Sequence, residues 1–241
     1  VMGLATSLDS LGFLARGIDD LILARAALCG TPVPNDLPAN SNTQTIALLK
    51  GPHWAEADQP TQDAIIEAGE ILLAAGVSVT DLQCPQEFNQ LSEYHKIIMA
   101  FEVARARQFE FRHHPTEMSS AFYKLVETGL ATSRADYEVA LAARDAGEVV
   151  LANLLSSFDA IMTPAAPSSA PAGIESTGDP LFSRLWTLMR VPTVTIPFGR
   201  DVANLPLAFQ LVGGFGADQN LLAISRDIAN HLRVSCELPE L

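Results

Sequence analysis

The sequence predicts an α/β fold, and three observations carry that prediction. Short apolar runs with strand character alternate with longer stretches of 3.6-residue periodicity. Residues 45–82 read as strand, helix, strand with short joints, the pattern of a right-handed βαβ unit with parallel strands. Hydrophobic residues make up 48% of the 241 and charged ones 18%, which is enough apolar surface for one large core or two small ones.

The elements follow in order. Residues 18–28 read as a helix, with Asp19 and Asp20 in its first turn and Gly30 just past its end. A Pro/Asn loop spans 31–42, and 45–49 is a short apolar strand. Asp58 and Pro60 open a helix over 59–75 that Gly76 stops. Ile65, Ala68, Leu72 and Ala75 fall on one of its faces, and the chain resumes as a strand over 77–82. The middle is helical. Leu91, His95, Ile98, Glu102, Arg105 and Phe109 recur near a 3.6 period and predict one helix over 88–112. Ser133 and Asp136 resemble a capping box at the head of a second, over 133–158.

Residues 159–163 read as a buried strand stopped by Pro164, and 164–178 as a loop rich in Ala, Pro, Ser and Gly. Asp179 as N-cap and Pro180 at the first position open a helix to about Met189. Strands over 193–197 and 206–212 and a closing amphipathic helix over 218–232 complete the chain.

Most constellations that invite a chemical reading fail on spacing. Gly213-Gly214-Phe215-Gly216 sits where phosphate-binding glycines would, but Gln219 holds the place of the third glycine and Asp218 puts a carboxylate where phosphate should lie. His113, His114 and Glu117 are separated by the helix breaker Pro115, so a metal site is not expected. There is no G-x-S-x-G elbow, and Lys50, Lys96 and Lys124 have no serine pair nearby. The loop before Asp179 remains. Ser176-Thr177-Gly178-Asp179 brings two hydroxyls, a glycine and a carboxylate to a helix start. It reads either as a capped helix or as a pocket wall facing a small polar substrate, with Trp186 and Thr187 two turns along.

Five stretches then resemble one family. Ser7-Leu-Asp-Ser-Leu-Gly12-Phe-Leu-Ala-Arg16 with Asp19-Asp20-Leu21 is similar to the S-L-D-x-x-G-x-x-A-R-x-x-x-D-L stretch of amidase-signature enzymes. Phe158-Asp159 through Thr163-Pro164-Ala-Ala-Pro167 resembles their F-D-A-L-L-T-P-A-A-P run. Ser176-Thr-Gly-Asp179-Pro with Trp186-Thr187, then Val191-Pro192 to Pro197, then Leu205-Pro206 to Gly213 follow in the family's order, with Ala208 and Phe209 in place of the usual Gly and Val.

The resemblance implies a mixed β-sheet flanked by helices and hydrolysis of a carbon–nitrogen amide bond. In the family a serine attacks the carbonyl, a second serine on a cis peptide relays the proton and a lysine is the base. Those residues belong to a Gly/Ser-rich signature upstream of S-L-D, and the 241 residues hold no G-G-S-S-G-like run. The expectation is therefore that residues 1–241 are the C-terminal portion of a single amidase domain and inactive alone, with no catalytic residue assigned. Thr177, Gly178, Asp179 and Trp186 are the expected substrate-binding wall. The alternatives are a noncatalytic remnant or binding or scaffolding subunit, and a glutamine-hydrolysing amidotransferase subunit.

No cofactor or metal is expected. The expected partners are a small-molecule amide, the missing N-terminal part of the same fold, with exposed apolar sheet where it packs, and a second copy in a homodimer. A formal net charge of −13 disfavours nucleic acid. No apolar run reaches the length of a membrane span. Scattered Cys29, Cys84 and Cys236 fit a reducing, cytoplasmic setting.

Overall fold

A computed structural model describes residues 2–33 and 44–234. Most of the loop expected over 31–42, and Cys236, lie outside the described residues. Five strands form one sheet: β1 (Thr45–Leu49), β2 (Ser78–Leu82), β3 (Ala160–Pro164), β4 (Thr193–Arg200) and β5 (Pro206–Val212). The order is β2-β1-β3-β5-β4. β1 runs parallel to β2 and β3, while β5 is antiparallel to β3 and β4, so the sheet is mixed. The βαβ unit is present, with α2 (Gln59–Ala74) as its crossover.

Helices cover both faces, and the period of two along the strands decides which side chain meets which layer. Ile46, Leu48 and Met162 point to one face and pack with Ile65, Leu72, Leu221 and Ile224. The last two belong to α8 (Asp218–His231), which α1 (Ile18–Cys29) covers in turn. Ala47, Leu49 and Ile161 point to the other face and meet Leu91, Ile98, Leu185 and Leu188. That layer is built from α3 (Leu91–Ala106), α4 (Gln108–His113), α5 (Ser120–Ala131), α6 (Arg134–Leu154) and α7 (Leu181–Leu188). Residues 2–9 are tied onto it. The Glu102 carboxylate accepts from the Ser7 backbone N–H at 2.8 Å and from the Tyr137 hydroxyl at 2.7 Å.

The central strands β1 and β3 are covered on both faces, while one face of edge strand β4, at Thr193, Thr195 and Pro197, is exposed, and no large apolar side chain stands on that open face, contrary to the exposed apolar sheet expected. The exposed apolar side chains lie instead on helices and loops, such as Leu11, Leu14, Leu28 and Phe215.

Several boundaries need correction. The helix expected over 88–112 opens with a 3-10 turn (Gln86–Gln90) and breaks at Arg107 (φ −117°, ψ 20°). The buried Arg107 guanidinium donates to the Gly3 carbonyl and to Glu110, and the break turns it to meet both. α5 has no counterpart among the helices expected from the sequence. α6 ends at Leu154 rather than residue 158, because Ser156 and Ser157 fold as a turn and the Asp159 N–H reaches the Thr45 carbonyl to begin β3. β4 continues past Pro197, which an edge strand tolerates because it faces no second partner for the missing N–H. α7 begins at Leu181 with Pro180 as N-cap, not with Asp179 as cap and Pro180 inside. The Asp179 carboxylate is engaged by a side chain further along the helix.

Candidate functional site

The carboxyl ends of β1 and β3 point the same way, and in open α/β sheets that end is where loops gather ligands. Here the loops after the two strands are bonded together, the Asp58 N–H donating to the Pro167 carbonyl at 2.8 Å. The start of α7 is fixed to the same end by Gln210, a buried side chain on β5. Its Nε2 donates to the Pro164 carbonyl at 2.7 Å and to the Phe182 carbonyl at 3.0 Å. The Ser169 hydroxyl donates to Asp201 at 2.6 Å. That bond, with the Leu205 and Ala203 N–H groups, holds the Asp201 carboxyl below the usual carboxylate range.

On this frame residues 171–180 are exposed. Gly178 has φ +84°, a conformation that favours glycine, and its N–H donates to the Ser176 hydroxyl at 3.2 Å. The turn presents Asp179, whose Oδ1 lies 3.0 Å from Nη2 of Arg184. The Arg184 side chain is 17% exposed and the Asp179 side chain 56%. Arg184 in turn lies near His95 of α3. His95 is buried, and its Nδ1 has no hydrogen-bond partner among the described residues. Burial first, then the charges of Arg184 and Lys96, lower its pKa from 6.5 to about 4.

The structure therefore brings Thr177, Gly178 and Asp179 together and seats Trp186 apart from them. Successive residues on a helix turn by 100°, so Trp186 points roughly opposite to Arg184. It lies in the core, edge-on to Phe88 with ring centroids 6.3 Å apart. The sequence does not single out Arg184, and it presents His95 only as one position of a helical period. The one signal was a histidine interrupting the apolar row Leu91, His95, Ile98.

Other groups carry less. His53 Nε2 lies 2.9 Å from the Ser92 hydroxyl, and His53 Nδ1 lies 3.7 Å from Glu56, a serine–histidine–glutamate order. Ser92 is only 1% exposed, so this pair joins the loop after β1 to α3 and offers no accessible nucleophile. His114 and Glu117 pair at 2.9 Å on the surface. Gly213 packs against Leu221 at the opposite end of the sheet, and Gly216 turns the chain with φ +72°. Among the described residues no three His, Cys, Asp or Glu side chains converge as metal ligands, and no helix is long and apolar enough to cross a membrane.

The lowered His95 pKa has a testable sign. Unfolded His95 takes its proton near pH 6.5 and folded His95 near pH 4, so the unfolded chain binds more protons in between. The contribution is fully present above pH 6.5 and lost as pH falls toward 4. Between those limits wild type should lose on the order of 2 kcal/mol more than His95→Phe, measured by urea unfolding. Parallel pH profiles would show that His95 is not the group responsible.

Fold and site together define an α/β protein with a polar cluster at the carboxyl end of its parallel strands. The chain belongs to the amidase family, whose family model matches residues 1–222. A glutamyl-tRNA(Gln) amidotransferase subunit from Prochlorococcus marinus (strain MIT 9211) is 22% identical, over all of this chain and 58% of that protein. The 2-amino-5-chloromuconic acid deaminase of Comamonas testosteroni is 24% identical, over 95% of this chain and 52% of that protein. The chain spans about half the length of the curated relatives it matches. Among solved structures, a crystal structure of an amidase superposes with TM-score 0.84 at 23% identity, covering 95% of this chain and 54% of that one. A glutamyl-tRNA(Gln) amidotransferase subunit from Thermotoga maritima superposes with TM-score 0.71 at 20% identity, covering 94% and 54%. At these identities the structural likeness concerns the fold.

Proposed function

We propose that this chain is the substrate-facing part of a hydrolase that cleaves an amide C–N bond with water, releasing a carboxylic acid and an amine or ammonia. The observation that carries the reading is the family match over residues 1–222, a span that includes Thr177, Gly178, Asp179, Arg184 and Trp186. Thr177, Gly178 and Asp179 form the wall, Arg184 and His95 stand behind it, and Trp186 anchors α7 to the core. The serines and lysine of the family's chemistry are supplied from outside these 241 residues, which contain no G-G-S-S-G-like run. The upstream half of the same fold is then the principal partner, and Cys29 and Cys84, which form no disulfide among the described residues, support a cytoplasmic setting.

An ammonia-release assay over a panel of primary amides tests this. The 241-residue chain alone should give no turnover above buffer, and joining it to an amidase-family catalytic half should restore turnover. Turnover by the chain alone, or none by the joined protein, contradicts the proposal. A glutamine-hydrolysing amidotransferase component is the second reading, favoured by relatives such as that of Prochlorococcus marinus. It requires glutamine to be the preferred amide in the same panel.

A further inference from the structure

We propose that Arg184 is a specificity residue that pairs with a carboxylate on the substrate, so the amides taken at this site are anionic, such as semiamides of dicarboxylic acids. The inference rests on the reading of residues 177–179 as a pocket wall.

Three other arginines of this chain each engage at least two guanidinium nitrogens. Arg107, with an 11% exposed side chain, donates to Glu110 and to the Gly3 carbonyl. Arg144, 13% exposed, gives both Nε and Nη2 to Asp145 and lies 3.7 Å from Glu148. Arg190, just past the end of α7, holds Glu148 with Nε at 3.0 Å and Nη2 at 2.9 Å. Arg184 differs. Among the described residues its one carboxylate neighbour is Asp179, with Nη2 3.0 Å from Oδ1, and the guanidinium makes no other ion pair. The fork of Nε and the two Nη groups matches two carboxylate oxygens, and most of it is unused here.

The Asp179 contact is also the kind that gives way. Asp179 is more than half exposed and follows the left-handed Gly178, at the end of an exposed stretch. Arg184, by contrast, is fixed on a helix whose inner face carries Phe182, Leu185 and Trp186 in the core. A bound carboxylate would replace or join a solvated partner on a cation held in place by that packing. The imidazole beside Arg184 adds no competing negative charge. The chain as a whole carries a formal charge of −13, which repels anions at a distance, so an anionic group is held here by local contacts.

The test compares succinamate, an anionic semiamide, with succinamide, its neutral counterpart, as ligands of the full chain in calorimetric or NMR titrations. Wild type should bind succinamate about tenfold more tightly, the effect of one charge-assisted pair. Arg184→Gln should bring that ratio to about one, and Arg184→Lys should keep part of it. Asp179→Asn, which removes the competing carboxylate and leaves the arginine in place, should tighten succinamate binding and leave succinamide binding within about twofold. Equal binding of the two probes by wild type, or a preference that survives Arg184→Gln, overturns the inference. If Arg184→Gln fails to fold, the Asp179→Asn variant decides, and weaker succinamate binding in it overturns the inference. Binding of neither probe removes the pocket wall itself, and this inference with it.

Discussion

Gly129→Ala should be the most damaging single substitution in the molecule. A Cβ at Gly129 would stand 1.8 Å from the Ala100 carbonyl oxygen, 2.5 Å from its carbon and 2.7 Å from the Ala104 Cβ. The obstacle is backbone, so no rotamer change relieves it, and α5 must move off α3. That movement unpacks Val126, fully buried between the helices, and the Phe122 and Leu125 side chains beside it. Alanine is intrinsically the better helix former by about 1 kcal/mol, so the clash must first cancel that gain. A net loss above about 3 kcal/mol is expected. For a chain of this size that is a fall in Tm of roughly 10 °C. Gly12→Ala is the control, since a Cβ there meets nothing within 4 Å, and its Tm should not move. A Gly129→Ala protein melting within about 2 °C of wild type would mean that the helices do not approach this closely.

Gln210→Met should come next, and its damage should be local to the site as well as global. The substitution keeps side-chain length but leaves the Pro164 and Phe182 carbonyls without their buried donor. Each orphaned group costs about 1–3 kcal/mol, so a loss of about 2–4 kcal/mol is expected in urea unfolding. The two carbonyls belong to the end of β3 and the first turn of α7, and Gln210 is the clasp between them. Amide exchange at Ser183 and Arg184 should therefore accelerate at denaturant concentrations where the strands remain protected. Acceleration spread evenly over the whole sheet would contradict that assignment.

How legible each element is in the sequence depends on which forces decide it. β1 and β3 are buried on both faces and read as short uninterrupted apolar runs. α2 carries its own punctuation: Asp58 accepts from the Thr61 N–H at 3.0 Å, and Gly76 adopts φ +91°. Such local signals survive without tertiary knowledge. α5 does not announce itself, because Gly129 lowers its helix propensity and is there for a contact with a helix distant in sequence. The break at Arg107 is set by a carbonyl at Gly3, and no local pattern encodes that partner.

The site follows the same division. Thr177, Gly178 and Asp179 are legible as a turn rich in polar groups at a helix start. Whether Asp179 caps that helix or pairs with Arg184 is a choice between two nearby donors, settled by the placement of α7. Trp186 is legible as a large aromatic on the same helix, but helix rotation sends it into the core while Arg184 faces the loop. The nearness of His95 and Arg184 exists only because α7 packs across α3.

The central claim is that an amide substrate meets this chain at the carboxyl end of β1 and β3. Chemical-shift mapping of the isotope-labelled 241-residue chain with succinamate tests it most directly. The perturbed signals should cluster at Gly178, Asp179, Arg184 and His95. Signals clustering instead at Gly213–Gly216 on the opposite end, or at Ile22, Ala26 and Leu222 between α1 and α8, would contradict it.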